Sequence, residues 1–168
     1  MPGGGAGGGR SALRQIEPRI AAQARAVGVD QAAATRIASE ALQLALKASH
    51  DPIGSWVLSP HARAASEAAW AGVVAGDLRT VRVDRVFRAG PTPEAQGEGC
   101  WWIIDYKTTH ADNLDLDQAL PGLRQLFAPQ LEVYAGILRN LQGADKPGCT
   151  IRAGLYYPRI PLLDWWAI

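Results

Sequence analysis

The feature that most constrains this chain is a short run near its middle, Cys100-Trp101-Trp102-Ile103-Ile104-Asp105-Tyr106-Lys107. Four consecutive large apolar side chains lead there into a carboxylate and, two residues on, an ammonium. An apolar run so short and so rich in aromatic and β-branched residues reads as a buried central strand, Cys100–Asp105. Residues two apart in a strand point to the same face. Asp105 and Lys107 therefore stand side by side at the end of a strand whose body belongs to a core, where ionised groups are costly.

The elements around this strand follow from pattern. Asp30 is a good N-cap for a helix over Gln31–Ser49, in which Ala34, Ile37, Ala38, Ala41 and Ala45 recur at helical spacing. An earlier helix covers Pro18–Val27, with the proline in the first turn. Asp51-Pro52 opens a short helix to about Leu58. Ala64–Ala71 reads as a strand, Gly76-Asp77 as a turn, and Leu78–Phe87 as a strand through Val81, Val83 and Val86. Gly90–Gly99 is an exposed loop, Leu123–Leu141 a helix, Cys149–Tyr157 a strand and Leu162–Trp166 a further one. The order predicts an α/β (α+β) fold, a mixed central sheet with helices on its faces. Met1–Arg10 reads as a disordered glycine-rich tail and residues 11–168 as one domain, excised from a longer chain. Trp101 and Trp102 are expected in the core, and Trp165 and Trp166 in core or interface. His61 and His110 are read as solvated, and Asp112, Asp115 and Asp117 as an exposed acidic loop.

Composition matters mainly for what it excludes. A net charge of +1 provides no overall basic field, so any nucleic-acid binding must rest on a local arrangement. Two cysteines, Cys100 and Cys149, cannot by themselves make a zinc site or an iron–sulfur cluster. A single disulfide is not expected in a domain with this much core, so a reduced, cytoplasmic setting is. No stretch reads as a signal peptide or a membrane span.

A second acid, Asp84 in Val83-Asp84-Arg85-Val86, also interrupts an apolar strand. If the strands carrying Asp84 and Asp105 pair as a hairpin, the two carboxylates converge. They then repel each other unless a cation lies between them. A hard divalent ion such as Mg²⁺ or Mn²⁺ resolves that conflict, since it prefers oxygen ligands. It also acidifies its water, which Lys107 could orient or deprotonate for attack on phosphorus.

An acid, a loop and a strand ending Asp-x-Lys together resemble the PD-(D/E)xK nuclease superfamily. The wording Val-Asp-Arg-Val followed by Trp-Ile-Ile-Asp-Tyr-Lys-Thr is similar to its RecB-like branch, found C-terminal in helicase–nucleases. Gln130 and Tyr134, in Gln-Leu-Glu-Val-Tyr, resemble that branch's Gln-x-x-x-Tyr helix motif; four apart, they share one helix face. The resemblance implies that Asp84, Asp105 and the backbone carbonyl of Tyr106 bind Mg²⁺ or Mn²⁺, and that Lys107 is the catalytic lysine. It gives Glu67 a place in the outer sphere of the metal, and it sets Gln130 and Tyr134 toward the active site or nearby DNA. Arg85 either braces the site or approaches phosphate.

The implied activity is a Mg²⁺- or Mn²⁺-dependent deoxyribonuclease in recombinational repair, an exonuclease on single strands fed by a helicase domain in cis, with a second helicase–nuclease subunit as a further partner and no membrane. One departure stands out. The branch carries a histidine on an upstream helix in a Gly-x-x-x-His context, and neither His50 nor His61 matches. The alternative is therefore a catalytically impaired nuclease-fold module that binds DNA or a partner subunit.

Overall fold

The computed structural model describes residues 7–108, 116–142 and 150–168. His110, Asp112, Asp115, Cys149 and the side chain of Asp117 lie outside the described residues. The chain falls into two compact units, Met1–Ala48 and Ser49–Ile168.

In the first unit, α1 (Gly7–Ala26) and α2 (Gln31–His50) meet through Ala21, Ala34 and Ala38, flanked by Ile20, Ala24 and Val29. The link between them is built by local chemistry. Gly28 takes φ +94°, and the amides of Gly28 and Val29 close back on Arg25 and Ala24, the Schellman arrangement that satisfies the last carbonyls of a helix. Asp30 then caps α2, its Oδ1 accepting the Ala33 N–H at 3.0 Å. The helix α1 starts at Gly7, well ahead of the start expected at Pro18, so Pro18 lies in its interior and not in its first turn.

The second unit begins with α3 (Pro52–Leu58), whose N-cap Asp51 accepts the Gly54 N–H at 2.7 Å. Strands β1 (Ala62–Val74), β2 (Asp77–Ala89) and β3 (Cys100–Tyr106) follow, then α4 (Leu116–Leu141), β4 (Thr150–Tyr157) and β5 (Leu162–Ala167). They form one mixed sheet in the order β1-β2-β3-β4-β5. The β3–β4 pair is parallel, joined through α4, and every other pair is antiparallel. The β1–β2 turn is Ala75-Gly76, both at positive φ as a two-residue type I′ connection requires, one residue before the turn expected from the sequence.

Strand β3 has core on both faces. Trp101 and Ile103 pack with Leu131, Ala135 and Leu138 of α4. Trp102, fully buried, faces the other way, edge-on to Trp56 and beside Phe87 and Trp165, with its Nε1–H donated to the Gly90 carbonyl at 2.9 Å. On β4, Gly154 allows a close approach: a Cβ there would sit 2.8 Å from Ile104 Cδ1 and 2.9 Å from Leu163 Cδ1, and both side-chain ends would have to shift. Two sequence expectations are corrected here. His61 is not solvated: its ring stacks on Phe87 at 4.2 Å and its Nε2–H donates to the Trp56 carbonyl at 2.6 Å. The helix expected from Leu123 begins at Leu116 and accommodates Pro121 and Pro129, both on its exposed side where a lost amide rung can be hydrated.

Arg85 fastens α3 to the sheet. It is buried on the Trp102 side, donating from Nε to the Val57 carbonyl and from Nη2 to the Ser59 carbonyl, both at 2.6 Å, and from Nη1 to Ser66 Oγ at 3.0 Å. Its guanidinium is thereby occupied as a brace and turned away from any phosphate. Arg85→Met would remove the buried donor of the Val57 carbonyl and leave the Ser59 carbonyl with the His61 N–H alone. We expect a loss of about 3 kcal/mol, measured by urea unfolding, given roughly 1–3 kcal/mol for each buried group left without its partner; an unchanged midpoint would show the brace to be dispensable.

Candidate active site

The site forms where the β2–β3 ladder stops. Pairing runs from Ala89↔Cys100 to Arg85↔Ile104, so the next step along the register sets Asp84 opposite Asp105. That step is not closed by backbone. The Tyr106 N–H instead donates to Asp84 Oδ2 at 2.8 Å. On its other side β3 stays paired with β4 through Tyr106↔Tyr156, and the Lys107 N–H donates to the Tyr156 carbonyl at 2.9 Å. The strand end is thus held by β4 while it parts from β2.

The strand β2 is irregular at the same point. Val81, Val83 and Val86 all belong to the α4-side core, although Val83 and Val86 are three apart and strict alternation would put them on opposite faces. The phase shifts across Asp84, and this shift brings Asp84 to the α4 side with Asp105. Between the pairs Ser66↔Arg85 and Ala68↔Val83, the residue facing Asp84 on β1 is Glu67, at φ +53°. A left-handed glutamate inside a strand is a strained conformation, of the kind that concentrates at functional sites. The Glu67 side chain is exposed and reaches Arg82 Nη1 at 3.4 Å.

Asp105 is buried and ion-paired with Lys107, yet its Oδ2 accepts no well-directed hydrogen bond from the described residues. Burial pushes its carboxyl above the ordinary carboxylate range; Lys107 opposes the rise and the nearby Asp84 charge adds to it. Lys107 lies 3.7 Å over the ring of Phe127 on α4, a cation–π contact that the sequence reading missed. The signal for it was present: Phe127, Gln130 and Tyr134 fall three and seven residues apart on one face of the expected helix.

Gln130 Nε2 donates to the Tyr134 hydroxyl at 2.5 Å, and burial, with Asp105 and Asp84 near, raises the Tyr134 hydroxyl. Tyr134 packs with Val83, Val86 and Ile103, the strand neighbours of the two acids. A further missed group is Tyr157 on β4, whose hydroxyl is buried, without a hydrogen-bond partner among the described residues, and pushed up to about 12 by burial and then by Asp164 and Asp105. The structure therefore brings Asp84, Asp105, Tyr106, Lys107 and Tyr134 together. It keeps Arg85 on the opposite face and points Glu67 toward Arg82.

A divalent cation fits this donor set. Asp105 offers a buried carboxylate, one oxygen of which is ion-paired with Lys107, and Asp84 has a second oxygen beyond the one holding Tyr106. The Tyr106 carbonyl points to the same β2 side as its N–H, as it must in an extended strand. Three oxygens of this kind suit Mg²⁺ or Mn²⁺. Among the described residues no group of three or more acidic, histidine or cysteine side chains is arranged to hold a metal, so the backbone oxygen and water must complete the sphere.

Residues 9–164 match the family model of the PD-(D/E)XK nuclease superfamily. A search of curated proteins finds no match to the chain.

Adding Mn²⁺ should raise the unfolding temperature of the wild type, the stabilisation reaching about 2.7 kcal/mol at a hundredfold excess over Kd. Asp84→Asn or Asp105→Asn should lose that increment. Because the Asp105 carboxyl is raised above 3.8, protons compete with the cation, so affinity should tighten as pH rises from about 4 through that range. A pH-independent Kd in calorimetry, or an undiminished increment in both variants, would place the cation elsewhere.

Proposed function

As the chain belongs to the PD-(D/E)XK nuclease superfamily, we propose that it is a Mg²⁺- or Mn²⁺-dependent deoxyribonuclease of the RecB-like kind. In this reading it acts as an exonuclease on single strands, fed by a helicase domain in the same polypeptide and assisted by a second helicase–nuclease subunit, in cytoplasmic recombinational repair. The observation that carries the reading is the meeting of Asp84 and Asp105 at the parted end of β2 and β3, with Lys107 beside them. A scaffold has little use for two acids that repel each other at a half-buried strand end.

Asp84, Asp105 and the Tyr106 carbonyl would hold the cation. When bound, it supplies a more acidic water and neutralises charge on the phosphodiester. Lys107 keeps its ammonium on the Asp105 side of the site, where it orients the attacking water and attracts the charge that develops on phosphorus. Phe127 fixes that ammonium from above, and Tyr134 with Gln130 shapes the α4 wall. No helix of the described residues is long and apolar enough to cross a membrane.

A second reading is a nuclease fold that binds DNA or a partner subunit without turnover. It is favoured by the missing upstream histidine and by the lack of a third side-chain ligand among the described residues. Such a module would bind oligonucleotide but would neither cleave it nor take up a cation at Asp84 and Asp105.

Cleavage of labelled single-stranded DNA in Mg²⁺ or Mn²⁺ separates the two readings. Lys107→Met and Asp105→Asn should each lower kcat by about a hundredfold or more, and wild-type rates in both would refute the assigned centre. Phe127→Leu should keep the fold but lower kcat about tenfold, the equivalent of the roughly 1.4 kcal/mol of a partly desolvated cation–π contact. Phe127→Tyr, which keeps a ring, should recover most of the rate; equal rates in the leucine and tyrosine variants would argue that Phe127 only fills space.

A further inference from the structure

The two ends of the sheet differ. β5 closes one end with 6 residues, and β1 closes the other with 13. Among the described residues no strand lies beyond β1. A long edge strand presents a row of amides and carbonyls that can template another chain, and proteins usually guard such an edge with lysine, proline or a bulge. In β1 the irregular backbone sits at the inner end, where Arg63 and Glu67 take positive φ. The outer stretch from Ala68 to Val74 keeps register with β2 and carries no charge and no proline.

The register shows which groups of this stretch β2 leaves unclaimed. Val74↔Asp77 closes the two-residue turn, so Ala68, Trp70, Gly72 and Val74 exchange hydrogen bonds with β2. Ala69, Ala71 and Val73 alternate with them and direct their amides and carbonyls outward. The Val73 carbonyl meets Asn140 Nδ2 at 3.5 Å, the limit of a hydrogen bond. The side chains divide in the same way. Trp70 packs on the α4-side core, and a Cβ on Gly72 would meet Ile137 of α4. Ala69, Ala71 and Val73 face away from α4 and are exposed, Val73 by 56% and its cross-strand partner Leu78 by 76%. An uncharged edge is thus bordered by an exposed apolar face.

We propose that this edge pairs with the same edge of a second copy of the chain, antiparallel, about a two-fold axis at Ala71, so that two sheets become one. The occupant follows from the fit of the strand to itself. In this register Ala69 lies opposite Val73 of the second copy, and Ala71 opposite its own counterpart. Every outward amide and carbonyl of the stretch then gains a partner, and neither Glu67 nor the turn enters the ladder. Trp70 of each copy stands across from Gly72 of the other, where the missing side chain leaves room for the indole. An axis at Trp70 would instead set the two indoles against each other, and an axis at Gly72 would leave Ala69 facing the turn. No like charges meet along the pairing. The axis is perpendicular to the sheet, so both acid pairs open on one face. Asp84 faces Glu67, four residues from the axis, which sets the two centres about 30 Å apart at ordinary strand rise and spacing. The pairing does not rest on the nuclease reading.

Sedimentation equilibrium of the whole chain between about 1 and about 100 μM should show monomer and dimer in exchange, with an unfolding temperature that rises with concentration. Ala71→Pro removes the outward amide and no bond to β2. It should weaken the dimer about a hundredfold or more, because each copy loses a donor and leaves a carbonyl unpaired. Its unfolding temperature should no longer depend on concentration. Ala71→Thr, which keeps the amide, should dimerise like the wild type. In a Cys149→Ser background, which leaves Cys100 buried, Ala71→Cys should form an interchain disulfide on mild oxidation, its two Cα atoms lying about 5.5 Å apart. Ala69→Cys should not, since it stands about 13 Å from its own counterpart.

A chain that stays monomeric throughout that range overturns the proposal, as does a dimer that a folded Ala71→Pro variant leaves intact. Should the proline variant not fold, the cysteines decide. Crosslinking at Ala69 as efficient as at Ala71, or crosslinking at neither, overturns the pairing.

Discussion

The arrangement depends on one hydrogen bond, from the Tyr106 amide to the Asp84 carboxylate. A backbone N–H at the edge of a core must be paired. Inside the β2–β3 ladder a carbonyl of the neighbouring strand would do this, and the strands would stay closed. Here a side chain does it, so β2 and β3 can part without an orphaned amide. The residue that closes the account is itself one of the two acids. Opening the sheet and placing a carboxylate at the opening are a single structural event, and the irregularity of β2 across Asp84, with Glu67 held at positive φ opposite, is its backbone counterpart.

The two faces of the sheet divide the work. On one, Arg85 ties the end of α3 to β2, and Trp56, Phe87 and Trp102 pack closely behind the strand that carries the acids. On the other, α4 supplies Phe127 above Lys107 and Tyr134 beside the carboxylates. Rigid support behind and adaptable polar contact in front is what a site needs if charged groups are to be kept near a core at tolerable cost. It also explains why Arg85 and Asp84, adjacent in sequence, have unrelated roles: consecutive strand residues face opposite ways.

Much of this was legible in the sequence. The central strand, the hairpin ahead of it, the caps Asp30 and Asp51 and the mixed α/β order all follow from local pattern, and Asp84, Asp105 and Lys107 stood out as charges at the end of apolar runs. The misreadings also have local causes. Prolines at 121 and 129 suggest a later or broken helix, and only tertiary packing and an exposed proline side allow one helix from Leu116. A polar His61 suggests a solvated side chain, but an aromatic cluster and the Trp56 carbonyl, which also takes the Ser59 N–H, accept it. The shift of strand phase at Asp84 cannot be read from alternation, since it departs from alternation.

The sequence by itself determined that two acids and a lysine must be accounted for near a core, because periodicity and the cost of burying charge act over a few residues and show in the spelling. Tertiary structure alone decided that the acids face each other and share a side with Lys107. It also decided that Arg85 turns away and that Phe127 covers the ammonium. Those facts depend on the register of β2 against β3 and on where α4 settles. Such contacts join residues far apart in the chain, and their energies are balanced only once the whole sheet has formed.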